Sequence, residues 1–258
     1  MATTPDYTPG TPCWYDLGTS DVPAASTFYG TLFGWTAETM VEPEAGGYTM
    51  LSLDGKLVGA LGPQQNPGPP YWTTHISVED VDKTVEIAQS AGATVLAPVM
   101  DVFDAGRLAV LADPTGAAFS IWQPLTMKGS DVMGTVGSFC WTELMSRDVA
   151  KATAFYGEVF GWDAHKGAIE GAGDYFEYKN GDKSVAGMMA MPAEVPAEVP
   201  SYWMPYVEVA DTDKTVTEAK ALGAAVVVEP TDIPTVGRFA ILRDPQGATF
   251  GVIKTTPQ

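Results

Sequence analysis

Histidine, cysteine and positive charge are all scarce in this 258-residue chain: it has two histidines, two cysteines, and 14 lysines and arginines against 32 aspartates and glutamates. Two cysteines cannot build the disulfide framework that staples small extracellular folds, so Cys13 and Cys140 read as buried thiols in a reducing compartment. Neither has a histidine nearby in sequence to activate it. A formal net charge of −18 repels nucleic acid and anionic membrane surfaces at long range, so neither partner is expected. The acidic excess reads instead as a solubility device. Apolar runs of ~18 residues, the mark of a transmembrane helix, are missing. A charged-then-apolar leader is also missing, and a cytoplasmic location is expected.

What the chain does have is repetition. Gly10, Cys13, Trp14 and Leu17 return as Gly137, Cys140, Trp141 and Leu144, and Phe28, Tyr29 and Trp35 return as Phe155, Tyr156 and Trp162, at a constant offset of 127. Further on, Trp72, Arg107 and Asp113-Pro114 return as Trp203, Arg238 and Asp244-Pro245 at an offset of 131. Such a period far exceeds the roughly 20–50 residues of solenoid units and marks a duplicated domain. A hydrophobic content of 45% can fill two cores, and the length suits about two domains at roughly 150 residues each. Domains are expected at 8–125 and 135–256, joined by the polar stretch from Gln123 to Gly137. Function is expected where the related halves face one another.

Within the first half, Pro12 to Gly18 reads as a strand. Asp21 caps a helix whose apolar positions recur every three or four residues, and Gly34 ends it. Tyr48 to Leu53 and Lys56 to Leu61 flank the hairpin turn Asp54-Gly55. After the Pro/Gly-rich stretch Gly62 to Pro70 the order restarts: strand Thr73 to Val78, helix Val81 to Ser90, strands Thr94 to Pro98, Leu108 to Ala112 and Ala117 to Gln123. The second half repeats this with Asp148 as cap and Asn180-Gly181 as turn. Each half therefore holds two βαβββ units. Arg107 and Arg238 are expected to pair with Asp113 and Asp244 of the nearby turns.

Four βαβββ units, with a helix reading Asp-x-x-x-Ala-x-x-Phe-Tyr-x-x-Leu/Val-Phe-Gly-Trp and a last hairpin reading Gly-Arg…Asp-Pro-x-Gly-Ala, resemble the vicinal oxygen chelate superfamily of glyoxalases, bleomycin-resistance proteins and extradiol dioxygenases. The likeness runs from about Gly10 to Ile253 and is greatest to two-domain actinobacterial members. It implies an α+β fold, a tandem duplication in which curled mixed sheets surround cup-shaped cavities. It also implies divalent-metal ligands on the first and last strands of the units. The corresponding positions here are Trp14, Trp141, Thr73, Met204, Ser120 and Gly251. Tryptophan, methionine and glycine side chains offer a hard or borderline cation no donor, so the family's metal site is expected to be absent and no cofactor is expected.

Strand alternation places Asp16 on the face of Trp14, Glu143 with Trp141, His75 with Thr73, Tyr206 with Met204, and Trp122 with Ser120. A cup walled by Trp14, Trp122, Trp141, Tyr206, Met204, Thr73 and Ser120 suits a small planar ligand held by stacking and a few directed hydrogen bonds. Asp16, Glu143 and His75 are the candidate acid/base residues, and desolvation is expected to raise both carboxyl pKa values. Three functions follow: a metal-independent enzyme acting on a small aromatic or carbonyl-containing metabolite, a protein that sequesters such a compound, or a metal-dependent lyase or dioxygenase in which Asp16, His75 and Glu143 converge on one ion. The expected partner is a small molecule, and the protein is read as a monomeric pseudo-dimer or a homodimer.

Overall fold

The computed structural model describes residues 5–65, 68–167, 175–193 and 195–256. The first half runs β1 (Pro12–Thr19), α1 (Val22–Phe33), β2 (Thr36–Thr39), β3 (Thr49–Leu53), β4 (Lys56–Pro63), β5 (Tyr71–Ser77), α2 (Val81–Ser90), β6 (Thr94–Val102), β7 (Gly106–Ala112) and β8 (Ala118–Pro124). The second repeats it as β9 (Phe139–Ser146), α3 (Val149–Phe160), β10 (Asp163–Lys166), β11 (Tyr175–Asn180), β12 (Lys183–Ala190), β13 (Tyr202–Glu208), α4 (Thr212–Ala221), β14 (Ala225–Ile233), β15 (Gly237–Arg243) and β16 (Thr249–Thr255). The fold is α+β, a tandem duplication of four βαβββ units.

The helices begin and end where the sequence signals lie. Asp21 accepts the backbone N–H of Ala24 at 2.9 Å and Asp148 that of Lys151 at 3.0 Å, satisfying donors that the first turn leaves unpaired. Gly34 and Gly161 close α1 and α3 in the left-handed region at φ 77° and 69°, where a side chain would be strained.

Each half forms one open, mixed eight-stranded sheet, in the order β2-β3-β4-β1-β5-β8-β7-β6 and its repeat β10-β11-β12-β9-β13-β16-β15-β14. The two units of a half join through their first strands: β1 lies antiparallel to β5, with Asp16 opposite Thr73 and Trp14 opposite His75. Both cups therefore arise within a half, from four central strands, and not between halves as expected from the duplication. What lies between the halves is the hydrophobic core. One cluster combines Phe28, Tyr29 and Trp35 of the first unit with Val216, Ala240 and Phe250 of the fourth, and another combines Phe119 and Ile121 with Phe155, Tyr156 and Trp162.

Three expectations are corrected. β2 and β10 are short and, apart from half-buried Ala164, exposed, and carry no alternation that would reveal them. β6 continues through Pro98 to Val102, which an edge strand tolerates because its outer side needs no N–H. The connection between halves is fastened, not loose: the Ser130 hydroxyl donates to Val58 O at 2.9 Å, and the Asp131 carboxylate accepts the Leu57 N–H at 2.9 Å.

Candidate functional site

β1 and β5 bring Asp16 and His75 together on the concave face of the first sheet. His75 Nε2 lies 3.0 Å from Asp16 Oδ2, with side-chain exposures of 6% and 21%. Tyr48, just before β3, donates its hydroxyl to the same Oδ2 at 3.1 Å and accepts the Trp14 indole N–H at 2.9 Å. Thr73 adds a further hydrogen bond to Asp16. Burial alone pushes the Asp16 carboxyl up, but the electrostatic attraction and hydrogen bond of His75 and the bonds from Tyr48 and Thr73 outweigh it and hold the group below its ordinary value. The expected rise is therefore corrected for Asp16: it is an ionised carboxylate held by three donors.

Around this pair, Trp14, Ala60 and Trp122 are buried, with half-buried Met50, Leu108 and Met127 packed against them. Trp122 lies over Gly106, where a Cβ would stand 2.5 Å from the ring, and donates its indole N–H to Met127 O at 2.9 Å. Ser120 is fully buried and its hydroxyl donates to Ala109 O at 3.1 Å. Trp122 and Ser120 are thus parts of the wall whose polar atoms are bonded to the backbone.

The second half repeats the pattern with one change. Trp141 donates to the Tyr175 hydroxyl at 3.1 Å, and Tyr175 and Tyr206 both donate to Glu143. Tyr206 stands where the first half has His75. Burial pushes the Glu143 carboxyl up to about 7, against the two tyrosine hydrogen bonds that lower it, so the expected rise is found here. Two rings of this cup lie directly over glycines: a Cβ on Gly251 would run into the Tyr206 ring, and one on Gly187 into the Tyr175 hydroxyl. Met204 is fully buried beneath them.

Asp16 and His75 thus meet in one cup while Glu143 sits in the other. Among the described residues no group of three or more His, Cys, Asp or Glu could hold a metal ion. At the strand positions where the resemblance implies ligands, the wall holds indoles, Met204, a backbone-bonded Ser120 and Gly251, whose side-chain space belongs to Tyr206. This donor set does not fit the superfamily's divalent metal.

The remaining candidates are structural. Arg107 pairs with Asp82 at 2.6 Å and Asp101 at 3.0 Å, and Arg238 with Asp213 and Asp232 in the same way, not with the turn aspartates. Both cysteine thiols are pushed up by burial, which removes them as nucleophiles at neutral pH. Two cavities, of about 540 Å³ beside α2, α3 and the Asp113–Gly116 turn and about 200 Å³ beside Tyr7, Cys140 and Lys183, lie at the junction of the halves, away from the Asp16–His75 pair. Sequence reasoning missed Tyr48 and Tyr175, although they obey the 127-residue offset.

The profile of the Glyoxalase/Bleomycin resistance protein/Dioxygenase superfamily matches residues 13–121 and 138–252, and the chain belongs to this family. It is 42% identical over 259 residues to "Putative glyoxylase CFP32" of Mycobacterium tuberculosis, covering 98% of each chain. It is 39% identical over 263 residues to "Anthracycline biosynthesis protein DnrV" of Streptomyces peucetius, covering 96% of this chain and 94% of the other. Among solved structures, the fold matches the Mn(II)-bound glyoxalase of Novosphingobium aromaticivorans (TM-score 0.65, 15% identity, covering 98% of this chain and 83% of the other). It also matches the 2,3-dioxygenase LapB of Pseudomonas sp. KL28 (TM-score 0.66, 14% identity, covering 96% and 94%). No helix among the described residues is long and apolar enough to cross a membrane.

Proposed function

We propose that the chain takes a small, flat, carbonyl-bearing metabolite into the cup of the first half and moves a proton there with His75, oriented by Asp16, without a divalent metal. The observation that carries this reading is the 3.0 Å Asp16–His75 pair set among Trp14, Tyr48 and Trp122. An imidazole held by a buried carboxylate is a common means of proton transfer at neutral pH, and indole walls favour a planar ligand. The relation to an anthracycline biosynthesis protein supports a secondary metabolite as the ligand. Asp16 acts through His75 as a positioning residue, because its Oδ2 is held by His75 and Tyr48.

A second reading places the chemistry at Glu143, whose carboxyl lies near neutrality and so suits a general acid or base. The Tyr175 and Tyr206 rings, whose hydroxyls both bond Glu143, crowd that carboxyl and favour the first.

Native mass spectrometry of gently purified protein, with elemental analysis of the same sample, names the bound ligand and tests for metal. Turnover of that ligand is then compared across variants. Asp16→Asn and His75→Gln are expected to lose about 10²–10⁴-fold in rate, the usual worth of general acid–base catalysis, while Glu143→Gln keeps it. Full turnover in both first-cup variants overturns the reading. Quantitative recovery of unmodified ligand assigns the cup to sequestration, and a stoichiometric divalent ion overturns the metal-free assignment.

A further inference from the structure

The hydrogen bonds of the first cup run in one fixed direction. An indole can only donate, so Trp14 Nε1–H donates to the Tyr48 oxygen at 2.9 Å. The single Tyr48 proton then points at Asp16 Oδ2, 3.1 Å away. An ionised carboxylate can only accept, so the atom of His75 that meets Oδ2 at 3.0 Å, Nε2, carries a proton. In the neutral ring the lone pair is left on Nδ1. That atom is buried in a residue only 5% exposed and has no hydrogen-bond partner among the described residues. Buried polar atoms are nearly always paired, and an orphan asks for an explanation.

Building on the proposed use of this cup, we propose that His75 Nδ1 is the atom that receives the ligand, and that it accepts an acidic hydroxyl, phenolic or enolic, carried on a flat ring. The donor must be neutral on arrival. An anion is repelled by Asp16, and an ammonium, which can only donate, would have to give up its water shell for the single acceptor that Nδ1 offers. A phenol or enol meets the indole walls with its ring and Nδ1 with its O–H. In the proton transfer the O–H bond breaks, its electron pair stays on the ligand oxygen, and the N–H bond forms on Nδ1. The imidazolium so produced keeps its other proton on Nε2, where it is donated to Asp16, and no co-reactant is required. The second half has the same chain, Trp141 to Tyr175 to Glu143, but ends in Tyr206, whose proton is directed at Glu143. Having no basic nitrogen at that place, it does not share this property.

The test uses the whole chain with 7-hydroxycoumarin and 7-methoxycoumarin as probes, read by tryptophan quenching and by the phenolate absorption band. The wild type is expected to bind the hydroxyl probe about tenfold more tightly than the ether, the worth of a good hydrogen bond, and to enhance its phenolate band. His75→Gln, whose amide can reach the place of Nε2 but not that of Nδ1, is expected to bind both probes equally, and His75→Asn to restore part of the preference. Long-range ¹H–¹⁵N spectra, simple in a chain with two histidines, are expected to show His75 protonated at Nε2. A proton on Nδ1, equal binding of both probes by the wild type, or a preference that survives in His75→Gln overturns the inference while leaving the cup as the binding site. Failure of the wild type to bind either probe overturns both.

Discussion

Tyr29 on α1 donates its hydroxyl to Asp244 at 2.9 Å, across 215 residues and from one half to the other. Its repeat does the same, Tyr156 to Asp113 at 3.0 Å, and each tyrosine oxygen accepts an indole N–H, from Trp72 and Trp203. The turn aspartates also accept backbone N–H groups of their own turns through Oδ1. Each buried carboxylate thus ties a hairpin of one half to a helix of the other.

Removing the Tyr29 hydroxyl leaves a buried oxygen of Asp244 short of a donor. Tyr29→Phe is expected to cost about 1–3 kcal/mol, visible as a lower Tm and denaturant midpoint. Unfolding is expected to remain a single transition, since both cores contain residues of both halves. Two separated transitions in the wild type would contradict this.

The two cup carboxyls are expected to affect stability with opposite sign. Glu143 has its folded pKa raised from an ordinary 4.5 to about 7, so the folded state holds the extra proton and stability falls as pH rises between those values. The full cost, up to about 3 kcal/mol from the linkage relation, is present above pH 7. Glu143→Gln is expected to gain on the wild type across that window in chemical denaturation. Asp16 is lowered, so its contribution is present above the ordinary carboxyl value and is lost as pH falls below it. Asp16→Asn is therefore expected to cost stability at pH 7 and less at pH 3.

Tyr206 and residue 251 compete for one space. Gly251→Ala forces the Tyr206 ring aside and is expected to cost about 1–3 kcal/mol, the range for overpacking. In a Tyr206→Ala background the same substitution is expected to be close to neutral. Additivity of the two changes in a double-mutant cycle would show that they do not share the space.

Mn²⁺, Zn²⁺ or Fe²⁺ at tenfold excess is expected to leave the Tm of the wild type unchanged, because a ligand that binds only the folded state raises it by mass action. A rise of several degrees that disappears in His75→Gln would place a metal in the first cup.

Much of this architecture is legible in the sequence because the chain is its own alignment. The repeated helix and Asp-Pro-x-Gly motifs fix the four units, and alternation along β1 and β5 puts Trp14, Asp16, Thr73 and His75 on one face. Alternation along a single strand cannot reveal what arrives from another. Tyr48 reaches Asp16 from beyond β4, and its bonds, with those of His75, turn the expected rise in the Asp16 pKa into a fall. Nor can a repeat tell whether a motif pairs with its own half: Tyr29 and Asp244 are both visible as motif residues, but their partnership is set by the packing of α1 against the fourth unit. β2 and β10 escape because four residues, all or nearly all exposed, carry no pattern.

The shared cores impose an order on synthesis. When the ribosome has finished β8, the aromatic face of α1 is covered only on its sheet side, by Tyr15, Leu51 and Trp72, for Ala240 and Phe250, which complete that cluster, are still to be translated. At roughly 5–20 residues per second the wait is on the order of ten seconds. During it the nascent first half presents the edges of Phe28 and Phe33 that later meet Phe250 to solvent, a chaperone or a neighbouring copy. Joining the halves in one polypeptide shortens that exposure by guaranteeing that the missing partner arrives on the same chain.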